Sequence, residues 1–399
     1  MNKKEAQQLI KNTFEQDFNK NRFELFIRNL LKDNYEQATF SYTGNYIPAA
    51  YREFINKLER LGKYEDYEGN LFDVLVVELK REHSVHSARV TQRNFVRWYL
   101  NGSRGNVLKD GALVAFHNPD AKEWRFSFVK MQYSLEKQKD EFTPAKRYSY
   151  LVGENEHSHT AQKQLVELLR SDEIPTLEEL ENAFSIEKVT QRFFDQYKEL
   201  FLSLKEEIET ELNTNTKARQ EFTDKNIDVA AFAKKTLGQI VFLYFLQKKG
   251  WLGVQKDEKW GTGNRRFLNT LYEQCQEKEQ NFFNDYLKYL FYDALASERP
   301  ATDEHQKDYY PRFNSKIPFL NGGLFEPMNE YDWKNINLII PNNIFSNNEL
   351  IAHDEEGNGI LDIFNRYNFT VKEDEPLDTE VAVDPEMLGK VFENLLEIT

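Results

Sequence analysis

A chain of 399 residues carrying a formal net charge of -14 at pH 7 exceeds one usual hydrophobic core, so two or three domains are expected. Its 40% apolar and 14% aromatic content excludes a disordered chain, and its 30% charged residues argue against membrane spans. The single cysteine, Cys275, excludes an internal disulfide and a multi-cysteine zinc site, and it fits a reducing cytoplasm.

The N-terminal stretch "MNKKEAQQLIKNTFEQDF" has no apolar core of signal-peptide length, so export is not expected. Residues 3–32 read as helices. "FDVLVVELK" (72–80) and "GALVAFHN" (111–118) are apolar, β-branched runs that predict strands, and "WRFSFVKMQYSL" (124–135) alternates as a strand does. Between the first two runs, "SARVTQRNFVRWYLNG" has helical spacing and ends at Asn101-Gly102, a C-cap signal. Helices followed by strand, helix, strand and strand predict a small α/β domain over residues 1–150.

After the polar stretch "VGENEHSHTAQ" the period becomes helical, and residues 151–399 read as a mainly α-helical region. Thr176 and Glu179 predict a capping box, and the run from Ser185 to Leu212 is a long amphipathic pattern. "DVAAFAKKTLGQIVFLYFLQKKGWL" is apolar nearly all round in its second half, as a buried helix is. Turn signals ("NGGLF", "IIPNN", "DEEGNG") follow, before a last helix in "DPEMLGKVFENLLE".

The charge is unevenly spread. From Leu79 to Lys109, seven Lys or Arg face Glu82 alone, which makes a basic window in an acidic chain, and binding responds to that local field. Within the window and just before it lies a chemical arrangement. Glu78 and Lys80 are two apart on a strand and share a face. A carboxylate there can hold Mg²⁺, and a lysine beside it can orient or deprotonate the water that attacks a phosphodiester. Such a site needs a second carboxylate. Asp73 ranks first, but five residues from Glu78 sets it on the wrong face unless a β-bulge intervenes; Asp66, across the "EGN" turn, ranks second. Arg89, Arg93 and Arg97 follow at helical spacing and would neutralise phosphates, with Gln92 either touching the scissile phosphate or capping a neighbour. "HSVH" and "HSH" read as polar loop histidines in the absence of cysteines or a suitably spaced acid. In "NFTVKEDE", Asn368, Glu373 and Asp374 read as a structural acidic turn and not as a metal site.

Four later stretches add a resemblance. "SIEKVTQRFFDQYKELF" from Ser185, "QIVFLYFLQKKGWL" from Gln239, "IPFLNGGLFEP" from Ile317 and "RYNFTVKEDEPLDTEVAVDPEMLGKVFENLLE" from Arg366 resemble the region ahead of the methyltransferase in bifunctional Type IIG restriction-modification enzymes. "FDVLVVELK", "SARVTQR" and "WRFSFV" look like the nuclease segment of that family. The resemblance implies an N-terminal nuclease of the PD-(D/E)xK type, a small mixed sheet flanked by helices, joined by a helical connector to an adenine-specific, S-adenosylmethionine-dependent DNA methyltransferase and a target-recognition part. It carries Glu78 and Lys80 over as the E-x-K pair. The chain stops at "FENLLEIT" without a glycine-rich cofactor loop, so methylation by this chain alone is not expected.

The leading expectation is therefore a cytoplasmic, Mg²⁺-dependent endonuclease module cutting double-stranded foreign DNA. Asp73 (or Asp66) and Glu78 would bind metal, Lys80 would serve the water, and Arg89, Gln92, Arg93 and Arg97 would contact DNA. The alternative is a non-catalytic DNA-binding or assembly module that positions a partner methyltransferase. The second carboxylate separates the two: this alternative gains if neither Asp73 nor Asp66 lies near Glu78. A third reading, with no nuclease ancestry, places Glu78 and Lys80 on a face with no cleft.

Overall fold

A computed structural model of the chain describes residues 1–102, 107–132, 144–301, 307–320, 322–347, 350–351, 355–370 and 377–396. The described residues fall into two compact units. The first comprises Met1–Thr190, Arg366–Asn368 and 377–383, and so continues past residue 150; the second comprises Gln191–Asn365, 369–370 and 384–396.

In the first unit, helices α1 (Lys3–Phe14) and α2 (Lys20–Leu31) precede strands β1 (Tyr35–Thr43), β2 (Ile55–Glu65) and β3 (Leu71–Leu79). Helix α3 (Arg89–Leu100) then leads to β4 (Gly111–His117), β5 (Glu123–Met131) and β6 (Ala145–Gly153), followed by α4 (His159–Arg170) and α5 (Leu177–Asn182). The strands form a mixed sheet in the order β1-β2-β3-β4-β5-β6, and a late strand, Asp378–Glu380, closes it as a seventh member beside β6. The pair β3–β4 is parallel, which requires a crossover, and α3 is that crossover. Along β1–β3 and β4–β6 the pairing is antiparallel.

Because β3 is central, both its faces are covered, and its sequence reads as a near-continuous apolar run. On one face Leu75, Val77 and Leu79 pack with Phe95, Val96 and Tyr99 of α3. On the other, Phe72 meets Tyr64 and Phe128, and further along the sheet Trp124 and Phe126 sit in an aromatic cluster with Phe14, Phe23 and Phe26 from α1 and α2. Both helices are positioned by caps. Asn2 and Glu5 form a reciprocal capping box on α1, and Asn19 accepts from the Arg22 N–H on α2. The Thr176–Glu179 capping box begins α5, and α3 ends at Asn101 with Gly102 at φ +71°, a conformation glycine adopts without strain.

The second unit is mainly helical. It contains most of α6 (Ile186–Thr214), then α7 (Thr216–Asp224), α8 (Val229–Lys248) and α9 (Phe267–Glu277), and two π-helical turns at Phe283–Leu287 and Leu290–Leu295. Two short hairpin-like pairs follow, β7 (Tyr309–Tyr310) with β8 (Ser315–Lys316) and β9 (Leu350–Ile351) with β10 (Glu355–Glu356), and then α10 (Ile360–Phe364). The seventh strand of the large sheet is β11 (Asp378–Glu380), and α11 (Pro385–Leu396) ends the described chain. Asp228 caps α8, whose residues from Leu237 to Val241 are all buried. Among the described helices α8 is long and apolar enough to cross a membrane by length and composition, yet most of it is buried within the protein. The glycine loop of "NGGLF" lies against α8: the Gly323 and Leu324 carbonyls accept from Lys235 and Gln239. Glu373 and Asp374 lie outside the described residues, as does Arg104 of the basic window.

Candidate functional site

Strand β3 is unbroken where the candidate site requires it to bend. Its register with β4 runs from Phe72 opposite Gly111 to Glu78 opposite His117 without a shift. With a side-chain period of two, Phe72, Val74, Val76 and Glu78 share one face, and Asp73, Leu75, Val77 and Leu79 share the other. The irregularities of the β2–β3 ladder fall in β2, between Ile55 and Lys57 and between Arg60 and Gly62. The bulge that would have turned Asp73 toward Glu78 is therefore in the wrong strand.

Asp73 belongs instead to the α3 side of the sheet, where it is fully buried. The Tyr99 hydroxyl donates to its Oδ2 at 2.5 Å, Lys109 Nζ lies 3.4 Å from Oδ1, and Arg60 Nη1 lies 3.6 Å from Oδ2. Burial and the adjoining carboxylate push the Tyr99 phenol well above its ordinary range. This is a buried polar cluster that ties β2, β3 and α3 together. The expected pairing of Asp73 with Glu78 as joint metal ligands is corrected by it.

Asp66 is equally committed. It sits in the turn after β2, accepting at Oδ1 from the Glu68 and Asn70 N–H groups and at Oδ2 from the Asn70 amide and the Leu177 N–H. Burial works to raise its carboxyl, but those donors outweigh it and hold the group below the usual carboxylate range. The turn precedes Leu71 at the start of β3, whereas Glu78 stands at the far end, roughly 20 Å along the strand. Asp66 is thus not a substitute for Asp73 at Glu78.

The groups that do share a face with Glu78 come from its neighbours in the sheet. Across β2, Lys57 stands opposite Glu78 and Glu59 opposite Val76. Across β4, His117 stands opposite Glu78. The Asn56 amide donates to Glu78 Oε1 at 2.5 Å. Glu59 accepts from Lys57 Nζ at 2.8 Å and from Lys20 Nζ of α2; burial works to raise its carboxyl, but the two ammonium groups hold it below its ordinary range. The His117 imidazole stacks on Phe18 with ring centroids 4.2 Å apart. Burial pushes its pKa down to about 4 against the opposing pull of Glu78, so the ring is neutral near pH 7.

Lys80 follows one residue past the end of β3, two positions from Glu78, and its N–H bonds the Phe54 carbonyl. It is half-buried, and among the described residues its ammonium group has no hydrogen-bond or ion-pair partner. The loop beyond it is fixed by the buried Asn118, whose amide donates to the carbonyls of Lys80, Arg81 and His83. Oxygen donors of the kind Mg²⁺ takes are present on this face in Glu78 and Glu59, since that ion commonly uses one or two carboxylates and completes its shell with water and phosphate. Among the described residues no three His, Cys, Asp or Glu side chains are grouped to hold a metal by themselves. No protein-family model, curated protein or solved structure matches the chain.

The residues expected on DNA lie mostly inside. Arg89 Nη2 bonds Asp378 Oδ1 at 3.0 Å, and its Nη1 lies 3.9 Å from Glu380. Gln92 is 1% exposed; its amide donates to the Val85 and Ser87 carbonyls and its Oε1 accepts from Arg147. Arg93 is also buried, whereas Arg97 is half-exposed. Beneath them the fully buried Arg147 grips Asp378 through two bonds of 3.1 and 2.7 Å, and Arg125 bonds Glu380 at 2.9 Å. Burial lowers the Arg147 guanidinium to about 10, and although burial works to raise the Asp378 carboxyl, Arg147 and Arg89 keep it below the usual range. The expectation that Arg89, Gln92 and Arg93 line a phosphate-facing stripe is corrected: Arg89 joins α3 to β11, Gln92 joins it to β6, and Arg93 is buried.

Glu59, Lys57, Asn56, Lys20 and His117 carried no sequence signal strong enough to nominate them. Their proximity to Glu78 follows from strand pairing and from the register shifts of β2. In "NKLERL" of β2 the leucines are three apart and not two, so strand alternation gave no hint there.

Proposed function

We propose that the first unit is a Mg²⁺-dependent nuclease of the PD-(D/E)xK type acting on double-stranded DNA, with Glu59 in place of Asp73. The observation that carries this reading is the shared face of Glu78 and Glu59 on adjacent strands, with Lys80 two positions beyond Glu78. Support also comes from the arrangement around it: an antiparallel β2–β3 pair, the α3 crossover and a parallel β4.

In this reading Glu78 and Glu59 would hold the cation, which when bound would stabilise charge developing on the phosphate. Asn56 fixes the orientation of the Glu78 carboxylate. Lys80 orients the attacking water or takes its proton. Lys20 and Lys57, now on Glu59, provide positive charge that a phosphate can share when the site fills. His117, neutral and stacked, walls the site without adding charge. In keeping with the sequence resemblance to Type IIG enzymes, such a module would serve restriction of foreign DNA in the cytoplasm, with an adenine methyltransferase and a target-recognition part as partners and S-adenosylmethionine bound by the former.

A second reading has its own support. Asp73 faces away from Glu78, and Glu59 is held by two ammonium groups, both of which suit a non-catalytic DNA-binding or assembly module. Incubating the purified chain with supercoiled DNA and Mg²⁺, beside an EDTA control and Lys80→Ala, separates the two. Metal-dependent nicking lost in Lys80→Ala supports the nuclease. DNA binding without nicking, also in the presence of a partner methyltransferase, supports the second reading.

A further inference from the structure

The segment from Lys248 to Arg266 in the second unit holds six Lys or Arg against Asp257 and Glu258, in a chain of net charge -14. It is not a loose loop. The Gly250 carbonyl accepts from the N–H groups of both Gly261 and Gly263, at 3.0 and 2.9 Å, so the two ends of the loop are sewn together. Gly250 has φ +67°, and a Cβ there would stand 2.3 Å from the Gly261 oxygen; a Cβ on Gly263 would stand 2.3 Å from the Leu252 oxygen. Leu252 and Val254 are fully buried, and the Val254 carbonyl accepts from the Lys316 N–H.

This fixed backbone turns two indoles outward. Trp251 and Trp260 are 37% and 41% exposed, and each is one residue from the Gly250–Gly261 hydrogen bond. Each also carries an ammonium group at cation–π range: Lys249 Nζ lies 4.8 Å from the Trp251 ring centre and Lys316 Nζ 5.6 Å from that of Trp260. Lys259 and Arg266 are exposed on the same loop.

We propose that this loop binds a single strand of nucleic acid, unpaired bases stacking on Trp251 and Trp260 while Lys249, Lys259 and Arg266 meet the phosphates. Rigid aromatic rings alternating with cations match the alternation of base and phosphate, and stacking on an indole requires a base that is not already paired. The rings are more than half covered, which makes them platforms and not wedges of the kind that enter a lipid surface. The inference does not depend on Glu78 or on cleavage.

The test is anisotropy of labelled oligo(dT) with the full chain in EDTA, which silences any metal-dependent cutting. The double variant Trp251→Leu/Trp260→Leu keeps apolar side chains but removes the stacking faces. It is expected to bind about ten-fold more weakly or worse, with an unchanged melting temperature, and the wild type is expected to show indole fluorescence quenching on binding. Lys249→Gln/Lys259→Gln is expected to bind more weakly and to lower the salt dependence. Undiminished oligo(dT) binding by a folded double-leucine variant would overturn the proposal. So would wild-type binding to phosphatidylserine vesicles with none to oligo(dT).

Discussion

Glu59 and Glu78 occupy the same face of two adjacent antiparallel strands, Glu59 standing opposite Val76, the strand neighbour two residues before Glu78. Diagonal neighbours of this kind have side chains roughly 7–8 Å apart, close enough to share a bound ion or phosphate. Lys20 and Lys57 occupy the Glu59 carboxylate. Removing their charge with Lys20→Gln/Lys57→Gln is expected to tighten Ca²⁺ or Mg²⁺ binding several-fold by calorimetry, because the cation no longer competes with ammonium groups for the same oxygens.

Asp73 contributes to stability. Its buried carboxylate has Tyr99, Lys109 and Arg60 around it, and neutralising it leaves two half-buried cations without their counter-charge. Asp73→Asn is expected to lower the stability of the first unit by about 3 kcal/mol, seen as an earlier denaturation midpoint, while the folded fraction keeps its metal and DNA affinity.

The distinction between these acids marks how far the sequence could be read. The β3 run, the α3 spacing with its Asn101 end and the Thr176–Glu179 cap were legible because each depends on neighbours within a few residues. The parity objection to Asp73 was legible too. Glu59 was not, because its place beside Glu78 depends on register shifts in β2 that only pairing creates. Nor could the sequence reveal that Arg89 and Gln92, spaced as a phosphate stripe, face Asp378 and Arg147, since one acid lies 289 residues away along the chain.

His117 gives a pH signature. Its folded pKa of about 4 lies below the ordinary value of 6.5, so between these values the unfolded chain takes up a proton that the folded one refuses. The contribution is complete above pH 6.5 and is lost as pH falls toward 4, on the order of 3 kcal/mol in all. Urea unfolding of the first unit, followed from pH 7 to pH 4.5, is expected to show this decline, and His117→Gln is expected to flatten it.

Arg89 is tied to Asp378 inside the sheet edge. Arg89→Gln is therefore expected to cost about 2 kcal/mol of stability, while leaving the slope of log K against log salt for duplex binding unchanged. A slope smaller by about one would instead assign the arginine to a phosphate. Arg97, half-exposed, is the member of the stripe from which such a change is expected.

The most direct test of the site is Mg²⁺-dependent nicking of supercoiled DNA by the wild type, Glu78→Gln, Glu59→Gln and Asp73→Asn, each scaled to its folded fraction. The expected result is nicking by the wild type that falls at least about a hundred-fold in both glutamine variants, near 3 kcal/mol of lost transition-state stabilisation, and stays within a few-fold in Asp73→Asn. Loss of nicking in folded Asp73→Asn with full nicking by Glu59→Gln would contradict the site, and a wild type that binds DNA but never nicks it would contradict the nuclease.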